Sequence, residues 1–382
     1  MRRTLARLVA LIAAPFRWLR RRWSWRRTWW TIGVGLTLLV LGPTLFIATQ
    51  CYGNGEGAPA SAPPGINDLP AARRAEAFTY LTLPEWFIVY SADEYAKFVE
   101  RDRPSRFPYF RSIAQYWRYY SDVCEVTSRE YGFEGGYHLM LGVIGASFTV
   151  EYLIKGLYEK TVGRVTEWIS EPDTPEDAFG VRTAREYGTF MHTVPWYQFP
   201  FFAKLGALWR ETPFFGRRLL RKWERRAALS AEYTVKGTYG FVMGLGVGAA
   251  YAPEDLQIHV WVEHPAQHSF GDARIHIVKP IDRTTSIIRL PRYEAFTDVM
   301  RVVLQQPVKI LSIAGNDEVF LTAIVPAPVV VPIPGTTLIT SVPILTESPK
   351  VRVGLRMRVT ALQDVVAELG RRGIVLEHIY DY

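Results

Sequence analysis

Residues 351–382 read VRVGLRMRVTALQDVVAELGRRGIVLEHIYDY, and this stretch decides how the C-terminal third is built. Apolar residues alternate at Val351, Val353, Leu355 and Met357, the two-residue period of a strand with one buried face. Thr360 with Gln363 then opens a helix, Gly370 and Gly373 stop it, and the run from Ile374 returns to strand.

The runs upstream fit the same plan. QIHVWVEH (257–264) and RIHIV (274–278) alternate, SIIRL (286–290) precedes a helical RYEAFTDVMRVVLQQ (292–306), and VKILSIAG (308–315) and VFLTAIV (319–325) flank an Asn316-Asp317 turn. Strand, helix, hairpin, strand, helix, strand is the split βαβ order, so residues 254–382 are expected to form a ferredoxin-like α+β domain with an extra hairpin in front. The uncharged stretch Val325 to Thr346, with Pro326, Pro328, Pro332, Pro334 and Pro343, interrupts that order. Its Pro334-Gly335 step suggests the tip of an apolar loop or hairpin, either a docking surface or a packed edge.

At the other end, TIGVGLTLLVLGPTLFIAT (31–49) carries no charge and follows Trp29 and Trp30. That is the length and belt pattern of one transmembrane helix. Residues 1–30 are a basic segment: Arg2, Arg3, Arg7, Arg17, Arg20, Arg21, Arg22, Arg26 and Arg27 lie there with no acidic residue among them. The chain's formal net charge is +8, so what remains is close to neutral. A basic flank before an apolar span is a positive-inside signal and an attraction for anionic lipid, which makes nucleic acid an unexpected partner. The segment before Cys51 lacks the small-residue pattern of a cleavage site, so an uncleaved anchor is expected. Residues 50–72 are a Gly-, Pro-, Ala- and Ser-rich linker.

Residues 73–253 read as a helical, membrane-associated region. Thr82 with Glu85 and Ser91 with Glu94 have capping-box spacing, so helices are expected from about Pro84 and about Ala92. Phe107, Tyr109, Phe110, Tyr116, Trp117, Tyr119 and Tyr120 crowd one stretch among arginines, which suits a helix at headgroup level or plain core packing. Segments near 137–157 and 237–253 are further candidate transmembrane helices. Gly240, Gly244 and Gly248 repeat at the spacing that lets helices approach, with Gly142, Gly145 and Ala146 as the partner surface. Thr174, Pro175, Glu176 and Asp177 open a helix reaching about His192, and RRLLRKWERR (217–226) reads as a basic loop.

Four of the seven histidines, His259, His264, His268 and His276, fall close together. If QIHVWVEH and RIHIV pair as a hairpin, His259 and His276 become cross-strand neighbours able to hold a divalent metal, with His264 or His268 completing the site. The plain alternative is a solvated polar face. His138, Glu151 and Lys155 bound the first glycine-rich helix, and Glu151 and Lys155, four apart, are expected to pair. Cys51 and Cys124 are the only cysteines, which allows a disulfide on an oxidising side.

No Gly-rich phosphate loop, nucleophile elbow, HExxH or paired CxxC occurs, and no cofactor is expected beyond that metal. The expected localisation is a bacterial inner membrane, with the N-terminus cytoplasmic and residues 254–382 periplasmic. The first functional reading is a non-enzymatic envelope component that binds or scaffolds a protein partner in the membrane or periplasm. The alternative is a membrane-bound enzyme or carrier for a lipid-like apolar substrate, with His138, Glu151 and Lys155 as catalytic candidates.

Overall fold

The expected apolar span forms helix α1 (Trp25–Phe46), continued by a π-helical turn over Ile47–Cys51. Its Thr37 and Thr44 hydroxyls donate to the carbonyls of Gly33 and Val40, so these polar groups are satisfied inside the helix as lipid would require. The computed structural model describes residues 25–53, 55, 73–170, 173–247, 256–327 and 332–382. Most of the basic segment, nearly all of the linker, and the end of the second glycine-rich segment lie outside those residues. Residues 1–49 and 50–382 are separate compact units.

The second unit opens with α2 (Phe78–Val99), a single helix where two were expected. Neither proposed capping box forms, because tertiary partners take its side chains. The Thr82 hydroxyl is hydrogen-bonded with the Tyr137 hydroxyl, Glu85 accepts from Tyr137, Ser91 donates to Tyr152, and Glu94 accepts from Arg352. Then come α3 (Tyr109–Glu130) and α4 (Gly135–Tyr158), which continues through a π turn (Glu159–Gly163) into α5 (Arg164–Ser170). The aromatic crowd is core: Tyr109, Tyr116, Tyr119 and Tyr120 are all buried on α3. Gly145 of α4 permits this packing, since a Cβ there would lie 2.3 Å from the Tyr116 ring.

Helix α6 (Pro175–Met191) starts as the sequence foretells, with a complete capping box between Thr174 and Asp177 and proline in the first turn. After it come α7 (Phe201–Glu211) and the long α8 (Leu219–Val247). The glycines of α8 do not form the expected helix-packing face. A Cβ on Gly240 would meet the Tyr197 carbonyl at 2.9 Å and one on Gly237 the Phe202 ring at 3.0 Å, whereas Gly244 faces open space. The close approach is to a short connector and to α7.

The C-terminal region is α+β, with eight strands among the described residues: β1 (Gln257–Glu263), β2 (His276–Pro280), β3 (Thr285–Pro291), β4 (Lys309–Ile313), β5 (Glu318–Pro326), β6 (Thr336–Pro343), β7 (Lys350–Arg358) and β8 (Val375–Tyr380). Helix α9 (Glu294–Val303) lies between β3 and β4, and α10 (Leu362–Arg371) between β7 and β8. Instead of one ferredoxin-like sheet there are two four-stranded antiparallel sheets, ordered β2-β3-β1-β4 and β6-β7-β5-β8. They are the same βββαβ unit twice. In each, the strands flanking the helix lie on either side of the unit's first strand, so the split βαβ crossover is present but occurs once per sheet.

The expected hairpin between β4 and β5 does not extend beyond an Ile313–Asn316 bridge. Ala314 and Gly315 take positive φ angles of 51° and 78° and turn the chain out. The backbone groups of Ala314 are captured by His259 and Arg74, so the strands part into different sheets. The proline-rich stretch supplies β6, which pairs with β7. One core joins the halves, including Val260, Leu290, Met300, Leu321, Leu355 and Val365. Each helix also serves the other half: Arg301 of α9 donates to the Leu376 carbonyl of β8, and Gln363 of α10 to the Leu304 carbonyl at the end of α9.

Candidate functional site

Glu151 and Lys155 do not pair with each other. Each reaches across to α8, Glu151 to Lys236 at 2.7 Å and Lys155 to Glu232 at 3.0 Å, with Lys236 also 3.6 Å from Glu232. An antiparallel neighbour offers opposite charge at every turn, which four-residue spacing on one helix cannot match. The ladder runs further in both directions, from a Ser147–Tyr239 hydrogen bond to an Arg225–Glu159 pair at 2.8 Å.

The RRLLRKWERR run, expected as a basic loop, supplies several of the fully buried charges among the described residues. Its last eight residues begin α8, and the spacing of Arg221, Lys222, Arg225 and Arg226 places them on one face. Arg221 binds Asp177 at 2.7 Å and Glu224 at 3.0 Å, while Lys222 and Arg226 share Glu176 at 2.7 and 2.6 Å. Arg226 also lies 4.8–5.2 Å from the centroids of the Trp209, Phe214 and Trp223 rings. Buried ions cost several kcal/mol each unless fully partnered, which explains why carboxylates from α5, α6 and the π turn converge here. The sequence carries one sign of this: Glu176 and Asp177 at the start of α6 supply two of the carboxylates, with nothing in their position to show that they face the run.

The opposite side of α4 and α8 is apolar. Leu139, Val143, Leu153, Ile154 and Leu157 of α4, with Val235, Phe241, Val242 and Leu245 of α8, are exposed. The helix covering Gly135–Ser170 and the segment Gly33–Cys51 are both long and apolar enough to cross a membrane.

His138 sits at the start of α4, buried, with its Nδ1 2.9 Å from the Tyr120 hydroxyl and its ring stacked on Phe133 at 4.8 Å. Cys51 and Cys124 form a disulfide, also buried. A ring nitrogen of His138 and both sulfurs lie within 4.8 Å of one another. The three candidates near α4 are therefore separated, His138 beside the disulfide and the other two inside the ion ladder.

The clustered histidines are not brought together as expected. β1 and β2 do not pair; β3 lies between them, and both His259 and His276 stand opposite Arg289. A guanidinium between two imidazoles opposes a cation, and Arg289, after burial and ahead of Arg74, holds the His259 pKa below its ordinary value. His264 bonds Ser286, and His268 bonds Gln306, each at 2.8–2.9 Å.

Sequence reasoning missed the joint between the helices and the sheets. Glu294 of α9 lies 3.7 Å from His192 at the end of α6 and 3.5 Å from His378 of β8. Burial alone would raise Glu294, but His192 and His378 outweigh it and hold the carboxyl at about 2, while Glu294 in turn raises His192. Arg352 of β7 bridges Glu94 of α2 and Glu377 of β8 at 3.2 and 2.6 Å. A groove of about 220 Å³ between α3 and β6 is lined by Asp122, Glu125, Arg129, Glu130 and Leu338, apart from all of these groups.

Together the fold and these groups define a mixed α+β chain with a helical N-terminal part, two helices long and apolar enough to cross a membrane, and a sheet region in which one βββαβ topology occurs twice. Comparison with known protein families, curated proteins and solved structures returned no match.

Proposed function

We propose that this chain is a non-enzymatic component of a bacterial envelope, anchored in the inner membrane by α1, seated against lipid by α4 and α8, and presenting the duplicated sheet region to a protein partner on the periplasmic side. The observation that carries this reading is the two-sided character of the α4–α8 pair. Its outward residues, Leu139, Leu153, Ile154, Phe241 and Leu245, are exposed and apolar, while the ladder charges Glu151, Lys155, Glu232 and Lys236 are paired with one another. A surface of that kind is stable against lipid and unfavourable against water.

Structural roles for the catalytic candidates favour scaffolding over the enzyme or carrier reading. Lys155 is held by Glu232, Glu151 by Lys236 and His138 by Tyr120, so each already serves the packing of α4. The test is membrane extraction joined to a topology reporter. The protein should resist alkaline carbonate, and an alkaline phosphatase fused after Tyr382 should be active. Release into the carbonate supernatant, or activity of a cytoplasmic reporter at that position, overturns the reading.

A further inference from the structure

We propose that Cys51, Cys124 and His138 form a thiol-gated metal site: a disulfide when oxidised, and a Cys₂His site for a d¹⁰ cation of the zinc class when reduced. The three residues come from the segment just after α1, from α3 and from the start of α4, and nothing in the sequence places them together. Their donor atoms lie within 4.8 Å of one another, and all three residues are buried, so a cation there would be enclosed by protein.

The surroundings suit such a site. Two thiolates and one imidazole with an open fourth position is a recognised zinc donor set. The Tyr120 hydroxyl, 2.9 Å from His138 Nδ1 and 3.2 Å from the His138 carbonyl, fixes the ring on that side and leaves Nε2 as the donor. Phe133 stacks on the same ring with planes 5° apart, which holds its orientation. Among the described residues no acidic group competes within the cluster.

Reduction requires a dithiol partner. That dithiol transfers two electrons and two protons, becoming a disulfide, as the Cys51–Cys124 bond breaks to two thiols. Binding of the cation then releases both thiol protons, and the thiolates and the neutral imidazole supply the three bonds. Loading is thus possible only in the reduced state, and the reverse exchange, in which the partner's disulfide takes two electrons and two protons to become a dithiol as Cys51 and Cys124 rejoin, expels the ion.

The experiment uses the full-length protein in detergent, with and without phosphine reduction, desalted and titrated with Co(II) and then Zn(II). The reduced protein should take up one equivalent of Co(II) with thiolate-to-cobalt charge-transfer absorption that Zn(II) displaces. The oxidised protein and the Cys51→Ser/Cys124→Ser variant should show none, and His138→Gln should weaken binding at least tenfold. Circular dichroism accompanies each sample. The proposal fails if the folded reduced protein gives no charge-transfer band, or if His138→Gln binds as tightly as the unaltered chain. It fails equally if reduction unfolds the protein and Zn(II) does not restore it.

Discussion

Glu176→Gln isolates the contribution of the buried ion group. The Glu176 carboxylate accepts from Lys222 at 2.7 Å and Arg226 at 2.6 Å, and all three side chains are at most 1% exposed. Glutamine keeps the volume and one acceptor but leaves two cations in a dry site without their counter-charge. Removing one member of such a group costs about 3–5 kcal/mol. For a body this large, 1 kcal/mol moves Tm by roughly 2 °C, so the expected fall is about 6–10 °C in a detergent melt. Lys222→Met should cost much less, because Glu176 and Arg226 remain a neutral pair and Arg226 keeps its bonds to Thr212 and its three aromatic rings. Combining the two changes should recover at least half of the loss, since a single cation then remains. The reasoning is refuted if Glu176→Gln costs less than about 1 kcal/mol, or if it is no worse than Lys222→Met.

Other consequences can be checked with the same preparations. His192 has its pKa raised by Glu294, so its contribution is complete below the unfolded value of about 6.5 and is lost as pH rises through the raised value. Glu294, held at about 2, contributes above its unfolded value of about 4.3 and loses that as pH falls toward 2. Tm should therefore decline above about pH 6.5, and His192→Gln should flatten that decline; an unchanged slope would remove the joint as its cause. Gly145→Leu should lower folded yield by about 1–3 kcal/mol worth of overpacking against Tyr116, whereas Gly244→Leu, in open space, should be silent. Equal effects would contradict the packing described. Calorimetry with zinc on the oxidised protein should give the same trace for the unaltered chain and for His259→Ala/His276→Ala, because Arg289 separates the two rings; a loss of binding in the variant would restore the histidine site.

The features legible in the sequence are those governed by neighbours along the chain. The uncharged run from Thr31 to Thr49 forms a helix because its apolar length is local, and the Thr174–Asp177 capping box forms because both its bonds span three residues. Apart from β6, which falls in the proline-rich stretch read as a loop or hairpin tip, the described strands and the two helices of the C-terminal third are readable from periods of 2 and 3.6, and the α+β class follows. Which strands pair was not, because pairing depends on backbone groups far apart in sequence. Ala314 bonding to His259 and Arg74 diverts β4 from β5, and one sheet becomes two. The same holds for the charged groups. Spacing places Glu151 beside Lys155 and makes residues 217–226 read as a basic loop, yet only the tertiary arrangement sets Glu232, Glu176 and Asp177 opposite them, where desolvation makes complementary charge decisive. Likewise, the sequence allows Cys51 and Cys124 to pair but gives no sign that His138 joins them; only the packing of α3 and α4 brings its ring within reach of both sulfurs.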